Sequence, residues 1–379
     1  MLRPSSISEL AEAIGTARAS GQRLELRGGG SKAGIGQQRE TTILSMQGFA
    51  GVIDYDPPEL VLTAGAATPL AEIEALLAAQ GQMLAFDPYD HGRLFGSAEA
   101  ATLGGVIAAG VSGSRRLSAG AVRDHFLGFR AVSGRGEAFI GGAKVVKNVT
   151  GYDLPKLMAN SWGRLAALTE VTLKVLPRPR ASATIVLPGL SDEAAILAMA
   201  QAMGSQAEVA AAAHVPAALC NPALTALRLE GFAPSVQART QMLLALFKPQ
   251  GPDVLLEADS AALWDGIRHA APLAGEGTLW RINVPPTAGA QVTQPLAAMG
   301  AYWLYDWAGG LIWLQLPPGA DGLAVRAAAS AAGGHAVLVR GDGGGLPILH
   351  PESPGVAALS ARVKAAFDPD GILDPHRFG

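Results

Sequence analysis

The sequence predicts an α+β protein of two lobes that meet near residue 178. Two observations carry this expectation. Helix-period and strand-period patterns alternate along the chain, and Pro177 and Pro179 interrupt them where the pattern itself changes. The chain has 379 residues, 49% of them hydrophobic, which is material for two or three cores. The first lobe is expected over 1–178. The second, over 179–345, reads as an antiparallel α+β unit, because its strands and helices interleave and some strands are joined by short turns. Residues 346–379 form a closing segment.

The elements follow in order. Ser6-Ile7-Ser8-Glu9 has capping-box spacing, and Ile7, Leu10 and Ile14 recur on one helical face until Gly21 stops it. Leu24–Arg27 alternates as a short strand and runs into a glycine cluster. A strand is expected over 60–65. Thr68 and Pro69 suit the N-cap and first turn of a helix carrying Leu70, Ile73 and Leu77, closed by Gly81. A second glycine-rich segment covers 104–113, and strands follow near 126–132 and 165–176. Beyond the prolines, strands are expected at 183–187, 224–229, 279–284, 302–307, 311–316 and 336–339. Helices are expected over 192–203, 235–247, 321–331 and 354–367, with a loop at 341–345. No repeat of fixed period is visible.

Composition excludes several classes. Charged residues make up only 16% and the formal net charge is −3, so the basic face that nucleic-acid phosphates require is not expected. Cys220 is the single cysteine, which rules out an intramolecular disulfide framework and a cysteine-ligated iron–sulfur site within this chain. No run of 18 apolar residues marks a membrane span. The start leads directly into an amphipathic helix without the apolar core of a secretory signal. A cytoplasmic location is the expectation.

Three segments carry chemistry. In Arg27-Gly28-Gly29-Gly30-Ser31-Lys32 the glycines let backbone N–H groups turn inward around an anion, with Ser31 as a hydroxyl donor and Arg27 or Lys32 as charge. A Rossmann turn would need a helix directly afterwards, and Gly34, Gly36, Gln37 and Gln38 break one. A plain glycine-rich surface turn is the alternative. The second segment runs from Phe86-Asp87-Pro88 through Gly96-Ser97 and Thr102-Leu103-Gly104-Gly105 to Ser112-Gly113. Paired glycines opening a short helix offer free N–H groups to a phosphate. Close helix packing at Gly104 and Gly105 is the competing role, and the two can coexist. The third segment is Lys144-Val145-Val146-Lys147-Asn148-Val149-Thr150-Gly151-Tyr152-Asp153-Leu154, continuing through Ser161-Trp162-Gly163-Arg164 to Thr172-Leu173-Lys174.

These segments, in this order, resemble the PCMH-type FAD-binding domain of the vanillyl-alcohol oxidase family. The stretch 145–179 is most similar to the FAD-binding E subunits of bacterial glycolate oxidase. Lys364-Ala365-Ala366-Phe367-Asp368-Pro369-Asp370-Gly371-Ile372-Leu373-Asp374-Pro375 resembles the closing motif of the 2-hydroxy-acid branch, with Asp374 and His376 in place of its usual Asn and Gly. The resemblance covers about the first 180 residues and the last 20. The middle matches more loosely, through Leu279-Trp280-Arg281 and Asp306-Trp307-Ala308-Gly309-Gly310.

The resemblance implies the following. The tail returns to the FAD lobe. Arg27 to Lys32 hold the FAD pyrophosphate, helped by Ser97 and by Thr102, Leu103, Gly104 and Gly105. Pro88, Gly96 and Gly113 shape the same site, and Gly163 to Leu168 lie near the adenosine half. Asn148 and Tyr152 sit nearer the flavin ring, with a packed core tyrosine as the alternative for Tyr152. FAD is expected without a covalent bond, since the first glycine loop has no His and Cys220 lies in the other lobe. The implied partners are a catalytic FAD-binding subunit and an iron–sulfur subunit of glycolate oxidase. Any attachment to the inner membrane would run through them.

Catalytic relatives carry a histidine metal site with a Glu-His pair. None of the seven histidines, His91, His125, His214, His269, His335, His350 and His376, shows that spacing, and no Glu-His dipeptide occurs. No metal site is expected, and no catalytic base is evident. Arg281 shares a strand face with Leu279 and Asn283. It is a candidate anchor for a substrate carboxylate, or an arginine stacked near an aromatic ring. Trp303, Trp307 and Trp313 read as core or subunit contact. The expected function is support of glycolate oxidation to glyoxylate as a subunit of a complex. A stand-alone FAD-dependent 2-hydroxy-acid dehydrogenase and a non-catalytic flavin-binding scaffold are the alternatives.

Overall fold

The computed structural model describes residues 1–36, 41–144, 151–374 and 376–378. Its first helix, Ile7–Ser20, buries Leu10, Ile14 and Ala17 and ends on Gly21, whose φ of 67° requires the left-handed region. Ser6 caps it by accepting from the Glu9 N–H, but Glu9 reaches back to Ser5 rather than to Ser6. Strand Leu24–Arg27 pairs in parallel with Thr42–Ser45. A five-stranded antiparallel sheet follows, in the order Val52–Asp56, Val61–Gly65, Ala166–Lys174, Phe126–Ser133, Ala138–Gly142. The helix expected at Thr68-Pro69 begins at Leu70 without a side-chain cap. The Thr68 hydroxyl instead ties the turns at Gly51 and Gly65 together.

The second sheet has eight antiparallel strands. Its order is Asp253–Leu256, Ala181–Pro188, Leu224–Gly231, Ala211–Val215, then Tyr302–Asp306, Leu311–Leu316, Thr278–Asn283, His335–Arg340. Each half runs strand, helix, strand, strand, helix, strand along the chain, which is the split βαβ arrangement. The halves meet edge to edge at His214 opposite Tyr305. This duplication has no counterpart as a sequence repeat of fixed period: the two halves share the order of elements and not the residues.

Burial joins the two sheets. One core contains Leu62, Phe129, Val171 and Leu173 of the first sheet and Leu304, Leu311 and Trp313 of the second. A second core lies between the eight-stranded sheet and its helices, around Trp280, Tyr305 and Ile312. Polar contacts fix the junction: Ser114 Oγ donates to Asp306 at 2.6 Å, Trp307 Nε1 donates to the Gly113 carbonyl at 3.0 Å, and Arg115 meets Glu230 at 2.6 Å. Trp307 and Trp313 are therefore core residues of that junction. Trp303 is only partly buried and donates to Asp192.

The closing segment returns to the first lobe. Helix Pro354–Phe367 leads into Asp368, which accepts from the N–H groups of Ile372 and Leu373. Ile372 then accepts from Leu24 N–H at 2.8 Å, and Arg164 holds Asp374 at 2.9 Å. Among the described residues no helix is long and apolar enough to cross a membrane.

Candidate cofactor site

A cleft opens where Leu24–Arg27 ends, and the first glycine loop forms one wall of it. Arg27, Gly28, Gly29, Gly30, Ser31 and Lys32 all line it. The glycines are there for close approach as well as for turning. A Cβ on Gly28 would stand 2.5 Å from Thr102 Oγ1, and one on Gly29 or Gly30 would strike the Ala100 carbonyl or the Glu99 carboxylate. Two loops distant in sequence are thereby laid side by side. Among the described residues, the N–H groups of Gly28 to Lys32 have no backbone partner, which leaves them available as an anion nest.

The opposite wall is the start of helix Leu103–Ala108. Thr102, Gly104 and Gly105 line the cleft, whereas the Leu103 side chain is fully buried in the core. The expectation of free N–H groups here is corrected. Leu103 N–H donates to Thr68 O at 2.9 Å and Gly104 N–H to Ala66 O at 2.7 Å. Gly105 N–H has only a long 3.4 Å contact to Thr102 Oγ1. Gly104 is thus a packing glycine, with Ala66 2.7 Å from where its Cβ would lie, whereas a Cβ on Gly105 would meet only Thr102 Oγ1 at 3.1 Å and Lys32 Nζ at 3.8 Å.

Charge in the cleft is concentrated on Lys32. Glu25 binds both Arg27 and Arg377 at 2.8 Å, so Arg27 is already paired. Burial pushes the Lys32 ammonium down to about 8, against the pull of Asp90. An anion placed beside it would reverse that shift.

Gly163 and Leu168 also line the cleft, beside Trp162 and Ala166. Trp162 has a φ of 56°, strained for so bulky a residue. Its N–H donates to Ala108 O at 2.7 Å, and its ring packs on Phe378 at 5.1 Å. Leu373, Arg377 and Phe378 of the tail close the cleft. Sequence reasoning missed these residues and Ala66. Only the tail motif and the Trp162-Gly163 pair offered any signal.

Other expected residues lie elsewhere. Gly96 and Ser97 are exposed at the end of the short helix Gly92–Phe95, and Pro88 accepts from Arg268 through its carbonyl. Gly113 packs against Asp87 at the lobe junction. Tyr152 is 91% exposed, so the packed core tyrosine is corrected, and it does not line the cleft. Its neighbour Gly151 takes a φ of 92° in a turn that carries the side chain outward. Asn148 lies outside the described residues.

A cavity of about 1200 Å³ continues from the cleft, sharing Ile35, Ala109, Trp162 and Phe378 with it. Arg281 faces this cavity together with Tyr89, His91 and His335. Its guanidinium lies 5.0 Å from the Trp307 ring and donates to Asn283 Oδ1 at 3.0 Å. Arg116 lies over the same ring at 4.5 Å. Both sequence readings of Arg281 therefore hold part of the geometry: it stacks on an aromatic ring and also lines a cavity. Among the described residues no carboxylate pairs with Arg281, and no group of three potential metal ligands occurs.

An FAD binding domain family matches residues 1–141. The chain is 36% identical over 383 positions to glycolate oxidase subunit GlcE of Escherichia coli (strain K12), covering 100% of this chain and 99% of that protein. Glycolate oxidase subunit GlcD of Bacillus subtilis (strain 168) is 36% identical over 90 positions, 24% of this chain and 19% of GlcD. Among solved structures, p-cresol methylhydroxylase superposes with a TM-score of 0.73 at 12% identity, covering 100% of this chain and 88% of that one. This last likeness concerns the fold alone.

Proposed function

The chain belongs to the family of glycolate oxidase E subunits, and from that premise we propose that it binds FAD without a covalent bond and works inside a glycolate-oxidising complex. The chain is an FAD-dependent oxidoreductase subunit of this type. The observation that carries the cofactor reading is the run of N–H groups from Gly28 to Lys32 without a backbone partner among the described residues, beside the Lys32 ammonium and opposite Gly105. Such a nest fits a pyrophosphate. The apolar side chains of Trp162, Leu168 and Ala66 in the cleft suit the flat face of an adenine ring, and the adjoining cavity is large enough for a flavin ring and a small acid. When bound, the flavin supplies the acceptor for two electrons from a carbon–hydrogen bond.

The residues of this chain would bind and orient. Lys32 and the glycine loop would hold the phosphates, Arg377 and Phe378 would cover them, and Arg281 would meet a carboxylate in the cavity. The proposed division assigns 1–178 and 346–379 to the flavin and 179–345 to substrate or subunit contact. The proposed partners are a second, catalytic FAD-binding subunit and an iron–sulfur subunit that takes the electrons onward. The test is purification of the chain with and without the products of its neighbouring genes, followed by flavin content and glycolate-dependent dye reduction. Flavin in the isolated chain with activity only in the assembly is the expected result. An isolated chain without flavin would sink the cofactor reading, and full activity in isolation would favour a stand-alone dehydrogenase.

A further inference from the structure

Helix Pro354–Phe367 has 14 residues, and none of its side chains is buried. A helix of that length is marginal on its own, and in folded proteins it is normally held by packing an apolar stripe. The stripe is present. Val356, Leu359, Val363 and Phe367 recur at i, i+3, i+7 and i+11 on one face. Its two ends fare differently. Phe367 packs on Phe139 with ring centroids 5.8 Å apart, and both it and Val363 touch the core between the sheets. Val356 and Leu359, by contrast, are 51% and 58% exposed. Leu359 and Val363 line the cavity of about 1200 Å³, together with Leu157, Val337, Val339 and Leu349 of the body. The helix is thus one aliphatic wall of that space, and the body supplies another.

The helix is held at its ends and not along its length. Before it, the Ile348 carbonyl accepts from Leu338 N–H at 3.0 Å and His350 Nδ1 from Ala336 N–H at 3.2 Å, which pins 348–350 to the edge strand His335–Arg340. After it, Asp368 holds Ile372 and Leu373. Among the described residues, the one side-chain hydrogen bond from the helix to the body runs from Lys364 Nζ to the Arg164 carbonyl. The lobes are not free to open in its place. Arg340 donates to the Leu94 carbonyl at 2.9 Å, and Ser114 and Arg115 are bound to Asp306 and Glu230.

We propose that this helix is a flap that closes over the cavity once a flavin ring fills its floor. The inference rests on the reading of that cavity as the flavin's, given above. Closure over empty space would leave much of the gap unfilled, and a void forfeits contacts on both of its walls. The floor is the part shared with the cleft, at Ile35, Ala109, Trp162 and Phe378. A planar ring seated there shortens the gap that Val356 and Leu359 must cross, so the two aliphatic walls can meet above it. The ligand then stabilises the closed form and not the open one, which is the condition for shifting a population. Pivoting at the Phe367 end keeps the packed turn in place. Residues 351–353, which make no hydrogen bond to the body among the described residues, take up the change. Closure would exclude water from the flavin and from any acid bound beside it.

The experiment compares the full chain stripped of flavin with the same chain reloaded with FAD. Closure is read as the rate of thiol labelling by dithiodipyridine in two variants of a Cys220→Ser background. Leu359→Cys, on the stripe, should react about ten-fold more slowly after loading. Ala358→Cys, on the opposite face, should keep its rate. In the unaltered chain, the amides of 354–362 should exchange about ten-fold more slowly with FAD than without it, a reading that needs no substitution. Equal labelling and equal exchange in the two states overturn the flap. Protection that appears only when a partner chain is added overturns it too, and gives the groove to that chain. A chain that takes up no FAD fails one step earlier, at the uptake measurement itself, and the cofactor reading falls together with the flap.

Discussion

Lys32 offers the sharpest test of the cofactor cleft. Its ammonium is pushed down to about 8 by burial, and a phosphate at the Gly28–Lys32 nest would stabilise the charged form and raise it again. Binding then takes up a proton wherever the free chain has lost one, so affinity must fall as pH rises through about 8. At pH 7 about nine-tenths of free chains carry the charge, and at pH 9 about one-tenth. FAD should therefore bind about ten-fold more weakly at pH 9, or about 1.4 kcal/mol. Lys32→Met should lose about ten- to hundred-fold at pH 7, the scale of one hydrogen bond to a charged group, and should show no step near pH 8. The assay is quenching of flavin fluorescence on titrating the stripped chain at pH 7, 8 and 9 and fixed salt. Riboflavin, which lacks the phosphates, serves as the control. A flat profile for the unaltered chain, or the same step in Lys32→Met, would refute the placement of the pyrophosphate beside Lys32.

Three further outcomes follow from the same geometry. Gly104→Ala should lower the denaturation midpoint, because its Cβ would stand 2.7 Å from Ala66, an overpacking cost of about 1–3 kcal/mol. Gly105→Ala meets only Thr102 Oγ1 at 3.1 Å and Lys32 Nζ at 3.8 Å, so it should keep its midpoint and lose flavin. Equal thermal loss in both would show that the two glycines share one packing role. Acid precipitation should release all flavin, and fluorescence left on the denatured chain would contradict non-covalent binding. Burial pushes the Asp374 carboxyl up, but Arg164, the His376 N–H and Lys364 together hold it below the ordinary range. Its contribution to stability is present above the ordinary carboxylate range and is lost as pH falls through the lowered value. Asp374→Ala should loosen the tail and speed flavin loss at neutral pH, while Asp374→Asn should retain most of it.

Much of this was legible in the sequence, for local reasons. Gly28 to Lys32 stood out because a run of glycines followed a strand without leading into a helix. The capped helices, and strands such as Leu311–Leu316, follow from periodicity. Strand Ala211–Val215 escaped because alanine has no strand signature, and helix Gly289–Ala297 because Pro295 sits inside it. The second wall of the cleft was read as two donor glycines, Gly104 and Gly105, with close packing as the competing role. Gly104 looked like a phosphate donor, and only the contact with Ala66, fixed by the sheet behind it, shows that its N–H is already spent. Tyr152 was drawn toward the flavin by its neighbours in sequence, while the turn at Gly151 sends it outward.

The closing of the cleft by the tail has a consequence for how the protein is made. Arg377 bonds to Glu25 across 352 positions of chain, so the glycine loop leaves the ribosome long before its lid exists. During that interval the apolar floor around Ile35, Ala66 and Leu168 is open to water and to other chains. A nascent polypeptide would therefore not close the cleft over its cofactor until residues 373–378 have been made.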